Sequence, residues 1–216
     1  MSRIQAGGIP SDAQKSSPFR SPQQKRAERQ AKRDAVLRAA VRMFNERGFH
    51  ATSLDDVAAS LGVSKPTIYH YLGNKDQVLL ECCTLGLEQL LEAAAAARAA
   101  SGSGLDRLAR FLRLYAEITM DDFGRCVILT DDAALSAESR KRFRALKRQI
   151  DRAMRDLIEE GMADGSIAAG DPKLLAFTLA GALSWPARWF KSDGARDASD
   201  IARAMVEMLS TGFAPR

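Results

Sequence analysis

The sequence predicts an all-α protein, with a small N-terminal three-helix domain and a larger C-terminal helical one. Three observations carry this. Apolar residues recur at helical spacing along most of the 216 residues. Helix-start chemistry stands where those stripes begin: Ser53 three residues before Asp56, Asn74 three before Gln77, Asp171 just before Pro172. No stretch alternates apolar and polar residues as a strand would, and no internal repeat is present.

Residues 1–24, rich in Ser, Pro, Gln and Gly, read as a disordered basic arm. The first helix is predicted from about Arg26 to Arg47. Its stripe comprises Ala35, Val36, Leu37, Ala39, Ala40, Val41 and Phe44, and Gly48 closes it. Ser53 caps a short second helix whose inward residues are Leu54, Val57, Ala58 and Leu61, ending at Gly62, which suits a positive-φ bend. Ser64 caps a third helix with Pro66 in its first turn, anchored by Val63, Ile68 and Leu72. Asn74 opens a long helix from Lys75 to about Ala99, stopped by Ser-Gly-Ser-Gly at 101–104.

Further helices are expected over Leu105–Met120, more weakly around Val127–Leu135, and over Ala137–Met162. In the last of these Phe143, Leu146, Ile150, Met154, Leu157 and Ile158 keep the 3.6-residue period. Asp171-Pro172 starts a helix running to about Phe190, and Ser199-Asp200 a final one ending near Gly212. The domains expected are therefore 25–74 and 75–216, behind the arm at 1–24.

The net charge of +5 is unevenly placed. Residues 1–33 hold eight Lys or Arg against Asp12 and Glu28, residues 34–80 balance five against five, and the remainder carries nineteen basic and twenty acidic residues. The surplus thus sits beside the second and third helices. The three cysteines show no framework spacing, which fits a reduced, cytoplasmic setting. No apolar run follows the basic N-terminus, so it is not a secretory signal. The longest near-apolar run, Leu174–Ala187, is too short to cross a bilayer.

The third helix is the unusual element. With Ile68 and Leu72 turned inward, Lys65, Pro66, Thr67, Tyr69, His70 and Tyr71 face outward. That face offers hydrogen-bond donors, aromatic rings and one cation, without a carboxylate of its own. A surface approaching polyphosphate avoids carboxylates, while donors and methyl groups read base edges in a major groove. Two short helices joined at a tight glycine turn, with a helix packed before them, form a helix-turn-helix unit that suits double-stranded DNA.

The string F-x-E-R-G-F-x-A-T-S-L-x-D-V-A-x-x-L-G-V-S-K-P-T-I-Y-x-Y-L-x-N-K-D-x-V-L-L, within residues 30–80, closely resembles the DNA-binding domain of TetR-type (TetR/AcrR family) transcriptional repressors. The resemblance implies that Thr67, Tyr69 and His70 meet the major groove, and that Ser53, Tyr71 and Lys75 hold phosphates, Lys75 helped by its helix N-terminus. Thr52, Lys65 and Pro66 complete the implied DNA-binding set. Leu72 stands where Phe is common and Pro66 where Gly is common, which leaves the base preference at Pro66 open. The arm is either an idle tail or a minor-groove and phosphate contact.

Other function classes have less support. Both histidines, His50 and His70, lie in the first domain. No G-x-S-x-G, glycine-rich phosphate loop or metal-spaced Cys/His cluster appears, so no enzyme, cofactor or metal site is expected. Cys82 and Cys83 read as packing residues. The basic run Arg140–Arg155 reads as the wet face of an amphipathic helix. An architectural DNA binder would have no use for a second domain with its own core.

Residues 172–190 carry only Lys173 and Arg188 as charges. A helix apolar nearly all round, close to the chain end, calls for a partner subunit. A homodimer would place two recognition helices about 34 Å apart on a pseudo-palindromic operator. The segment G-A-L-S-W-P-A-R-W-F at 181–190 is similar to the Trp-x-x-Arg-Trp/Tyr segment of TetR-type regulators that respond to acyl-CoA thioesters. This implies a small-molecule effector site at Trp185, Arg188 and Trp189, and Tyr115 is a further candidate effector-binding residue. Two alternatives stay open. The tryptophans fill the dimer interface, or the effector is a lipophilic cation, for which Glu117 beside Tyr115 is the candidate carboxylate.

Overall fold

The computed structural model describes residues 21–213, and among these all regular structure is helical. Nine α-helices run in the order α1 Pro22–Arg47, α2 Leu54–Ser60, α3 Lys65–Leu72, α4 Lys75–Arg98, α5 Gly104–Met120, α6 Asp122–Leu129, α7 Ala137–Ala163, α8 Pro172–Ser184 and α9 Ala198–Phe213. Most of the expected arm lies outside the described residues. Its last stretch is helical instead, because Ser21 and Gln24 form a capping box and Pro22 takes the first helical position.

Helices α1, α2 and α3 close around Leu37, Val41, Phe44, Leu54, Val57, Ile68 and Leu72, all buried. Ser53 caps α2 with Asp56 and Asn74 caps α4 with Gln77, as expected. Gly62 makes the turn at φ +64°, so the Val63 N–H reaches the Ala58 carbonyl at 3.1 Å. The two residues flanking that turn depart from expectation: Leu61 and Val63 are exposed rather than inward, since the bend carries them away from α1. Ser64 sits at the N-cap position of α3, but its hydroxyl pairs with that of Thr67 instead of a backbone N–H.

Helix α4 leaves the small domain and becomes the spine of the large one, packing along α5, α6 and α7, while α5 is covered in turn by α8 and α9. The helix expected around Val127–Leu135 lies earlier, as α6 and then a single 3-10 turn at Asp132–Ala134. Helix α8 stops at Ser184. The Pro186 region winds as a 3-10 turn over Trp185–Arg188, so the expected run to Phe190 is cut short. Asp197, not Ser199, accepts from the first turn of α9. Among the described residues no helix is long and apolar enough to cross a membrane.

Candidate nucleic-acid interface and effector cavity

Helix α3 is held by Ile68, fully buried, and Leu72, 5% exposed. This anchoring leaves Lys65, Pro66, Tyr69 and His70 exposed on one outer face, with Thr67 half-buried at its edge. Tyr71 is half-buried and packs its ring against the core, so it offers mainly its hydroxyl end. The face has an acidic neighbour that its own sequence does not contain. The Asp55 carboxylate of α2 accepts from Lys65 Nζ, and this bond raises the Lys65 pKa. The cation is therefore already partnered in the free protein.

Two of the expected phosphate-binding groups are positioned by their surroundings. The Ser53 hydroxyl is committed to the α2 cap, accepting from the Asp56 N–H and donating to the Asp56 carboxylate. The hydroxyl bond, with a second donated by the Ser53 N–H at 2.9 Å, holds the Asp56 carboxyl below its usual range. Lys75 lies at the first turn of α4, with Nζ 4.2 Å from the Phe49 ring centroid and 3.5 Å from the His50 carbonyl oxygen. Burial lowers its pKa. It is a cation held over an aromatic face at a helix N-terminus, where both the charge and the free N–H groups suit a phosphate.

Thr52 departs from its expected role. It is 1% exposed, and its hydroxyl donates to the carbonyls of Gly48 (2.9 Å) and Met43 (3.2 Å) while its N–H bonds Phe49. Every donor it has is spent inside, where it shapes the α1–α2 turn.

The two domains meet at α1 and α6. Arg42 Nε donates to the Asp122 carboxylate at 2.8 Å, and Asn45 Nδ2 donates to the Asp122 carbonyl at 2.8 Å. Sequence reasoning missed this junction, because charged residues so far apart along the chain show no spacing that links them.

In the large domain a cavity of about 330 Å³ opens between α4, α5, α6, α7 and α8. Leu87, Leu90, Val127, Ile150, Met154 and Ala180 give it an apolar wall. Inside it the Tyr115 hydroxyl and the Ser184 hydroxyl lie 3.0 Å apart. Burial pushes the Tyr115 phenol up, partly offset by Ser184, so it remains protonated and able to donate. Asp151, paired with Arg155, and Lys147 stand at the α7 side of the lining. Lys147 also reaches Asp132 at 3.8 Å. Elsewhere in the basic run of α7, Arg144 pairs with Asp132 and Arg152 with Asp156.

Of the four expected effector residues only Tyr115 lines this cavity. Trp185 is 61% and Trp189 49% exposed, and Arg188 is exposed. The 3-10 turn at Pro186 directs them outward, Trp189 into a separate surface groove beside α9. Glu117 faces the cleft between α1 and α6, away from Tyr115's cavity. Ser184 and Lys147 were not singled out from sequence. The signal was there, since Lys147 and Asp151 flank the inward stripe of α7. Among the described residues no group of His, Cys, Asp and Glu is arranged to hold a metal ion.

Comparison with known proteins agrees with this architecture. Residues 36–82 match the family of bacterial regulatory proteins of the tetR type, and residues 101–213 match the tetracyclin repressor-like C-terminal domain. The HTH-type transcriptional repressor KstR2 of Mycolicibacterium smegmatis is 26% identical over 186 residues, covering 85% of this chain and 91% of that protein. The TetR family regulator PfmR from Thermus thermophilus superposes with a TM-score of 0.75 at 29% identity, over 82% of this chain and 97% of that one. AibR, solved in complex with isovaleryl coenzyme A and operator DNA, gives a TM-score of 0.72 at 27% identity over 82% and 97% of the two chains. With both domain models matched and the second spanning more than half of its length, the chain belongs to the TetR family of transcriptional regulators.

Proposed function

We propose that this regulator represses transcription as a homodimer on a pseudo-palindromic operator and is released by an acyl-CoA thioester whose acyl chain enters the α4–α8 cavity. The observation that carries the effector reading is the cavity itself: an apolar wall around a hydroxyl pair, buried Tyr115 and half-buried Ser184. Apolar walls with few convergent polar groups are the usual make-up of a small-molecule site, and about 330 Å³ is at the small end of that range. It suits an acyl chain and its carbonyl and leaves the nucleotide of the coenzyme outside, where Lys147 at the cavity's edge offers the cation that Arg188 does not. AibR, bound to isovaleryl coenzyme A in its crystal structure, supports the same ligand class. A lipophilic cation fits less well. The one carboxylate in the lining, Asp151, is already paired with Arg155.

The dimer reading rests on α8 and α9. Leu174 (65% exposed), Phe177 (55%), Trp185 and Met208 (69%) leave large apolar side chains in solvent on α8, the turn after it and α9, where a partner subunit would cover them. On this reading the exposed tryptophans belong to the subunit contact. DNA reading is assigned to Thr67, Tyr69 and His70, with Ser53, Tyr71 and Lys75 on phosphates.

The test is calorimetric titration with acyl-CoAs of increasing chain length. Affinity rises by about 0.8 kcal/mol per buried methylene until the cavity is full, then levels off. Ala180→Leu, which narrows the cavity, lowers that ceiling. Absence of binding by every thioester removes the effector assignment, and a monomer in sedimentation at micromolar concentration removes the dimer.

A further inference from the structure

Two thiols that belong to neither the DNA face nor the cavity wall face each other across α4 and α6. Cys83 Sγ and Cys126 Sγ are 3.9 Å apart, and both side chains are buried. Glycine makes the approach possible: a Cβ on Gly86 would lie 2.6 Å from the Phe123 carbonyl oxygen, so only glycine lets α4 meet the α6 backbone one turn away from the thiols. The third cysteine is turned elsewhere. Cys82 Sγ points to the Leu37 carbonyl on α1, and burial holds its thiol well above the usual range.

One residue connects this dithiol to the outside. The Thr130 hydroxyl lies 3.5 Å from Cys83 Sγ and 3.8 Å from Cys126 Sγ, and Thr130 also lines the effector cavity, as does Val127 beside Cys126. A molecule of peroxide size in the cavity is therefore one side chain away from both sulfurs. The contact with Cys126 lowers the Cys83 pKa, with Thr130 adding to it, while the same contact and burial raise Cys126. Because Thr130 of the cavity wall stands nearer to Cys83 than to Cys126, Cys83 is the sulfur that meets the oxidant first and Cys126 the resolving thiol.

We propose that Cys83 and Cys126 form a reversible disulfide when a small hydroperoxide enters the cavity, and that the bond weakens DNA binding. The Cys83 thiolate attacks the nearer peroxide oxygen. The O–O bond breaks, leaving a sulfenic acid on Cys83 and releasing the other oxygen as alcohol or water once protonated. Cys126 sulfur then attacks Cys83 sulfur, the S–O bond breaks, and water leaves with the Cys126 proton. Two thiols and one hydroperoxide give one disulfide, one alcohol (or water) and one water, with the two electrons passing to the peroxide.

The consequence follows from where the bond falls. The sulfurs must close from 3.9 Å to about 2.05 Å. Helix α4 carries α3 directly through Gly73 and Asn74, and α6 holds α1 through Asp122. Drawing α4 and α6 together shifts both connections from the large domain to the DNA-binding helices, and a packed interface accommodates such a shift by a step to another arrangement. The switch rests on the DNA-binding role of α3.

The full-length protein is treated with millimolar hydrogen peroxide, then examined by non-reducing peptide mapping and intact mass. The DNA probe is a duplex enriched from a random pool by the reduced protein, so failure to enrich any duplex would count against the DNA reading and leave the thiol chemistry separately measurable. The expected product is a Cys83–Cys126 cross-link with a mass loss of about 2 Da. Affinity for the duplex should fall roughly tenfold or more and return with dithiothreitol. Cys82→Ala keeps both responses. Cys126→Ser, and Cys126→Ala if the serine variant loses its helical circular dichroism, abolish both. The proposal is overturned by a Cys82–Cys83 bond, by oxidation stopping at sulfinic acid without a cross-link, by a cross-link that leaves affinity unchanged, or by a Cys126 variant whose DNA binding still responds to peroxide.

Discussion

Arg42 Nε donates to the Asp122 carboxylate at 2.8 Å, and this pair joins the last turns of α1 to the first turn of α6. Its side chains are largely in solvent, 63% and 36% exposed, so its contribution to stability is small. Its place in the structure matters more. Val127 and Ile128 of the cavity wall lie on the same helix as Asp122, so this pair is one link from the cavity to α1. Arg42→Ala is expected to change the melting temperature little, leave ligand affinity intact, and reduce the factor by which an acyl-CoA weakens DNA binding. Paired titrations of DNA with and without thioester measure that factor. An unchanged ratio would show that coupling does not pass through the Arg42–Asp122 pair.

The pairing of Lys65 with Asp55 sets up a competition on the DNA face. A phosphate near Lys65 must displace a carboxylate that already holds the cation. Asp55→Asn frees the lysine and removes a negative charge beside the duplex. DNA binding should strengthen for every sequence, and the slope of log affinity against log salt should steepen by about one. Fluorescence anisotropy over a salt series reads both. A gain confined to one sequence would instead place Lys65 on a base.

Thr52 separates a structural role from a recognition role. Thr52→Val keeps the shape but removes the two bonds its hydroxyl donates, to the carbonyls of Gly48 and Met43. Losing such intramolecular bonds costs about 0.5–1.5 kcal/mol. The expected result is a lower midpoint in urea with the DNA salt slope unchanged. A slope lowered by one unit at unchanged stability would return Thr52 to the DNA surface.

What could be read from the sequence divides by the range of the forces involved. The caps at Ser53 and Asn74, the Gly62 bend and the Ile68–Leu72 anchor are local chemistry, and each stands where its residues place it. Helix α6 starts earlier than its periodicity suggests because Gly124 weakens its local helix propensity and its burial against α4 supplies what propensity does not. Trp185, Arg188 and Trp189 form a recognisable cluster, but which side of α8 they take depends on the turn at Pro186 and on α5 beneath it. The cavity wall was hidden for a different reason. Leu87, Leu90, Ile150 and Met154 obey the same periodicity as any core residue, and an unfilled space between helices leaves no mark on spacing.

Acid should loosen the joint between α4 and α7. Burial acts to raise the Asp76 pKa. The bonds it accepts from the Ser139 hydroxyl, and from the Ser136 N–H (2.7 Å) and hydroxyl (2.9 Å), outweigh that and leave it lowered from 3.8. A carboxyl lowered by folding adds stability above its unfolded pKa, and that stability is lost as pH falls through the folded value. Ser139→Ala removes one of the bonds and should cost about 1 kcal/mol near neutral pH. The gap between variant and parent should narrow below the carboxylate range, as read by urea midpoints from pH 7 to pH 3. A gap independent of pH would assign the loss to packing.

The hydroxyl pair in the cavity gives the most direct test of what the ligand offers. Tyr115 is 6% exposed and stays protonated, and its hydroxyl shares one hydrogen bond with Ser184. A thioester carbonyl entering the cavity can accept from this pair, whereas a hydrocarbon only fills space. Tyr115→Phe and Ser184→Ala should therefore each weaken acyl-CoA binding by about 0.5–1.5 kcal/mol, roughly twofold to tenfold. Neither should weaken a plain alkane of matching length, because the cavity loses polar character and keeps its apolar wall. Ala180→Leu is the complementary change, which should weaken both ligands by taking up volume. Calorimetry of the three variants with one medium-chain acyl-CoA and one alkane gives six affinities that separate these effects. Equal losses for thioester and alkane in Tyr115→Phe would show that the phenol only packs, and that the carbonyl is bound elsewhere.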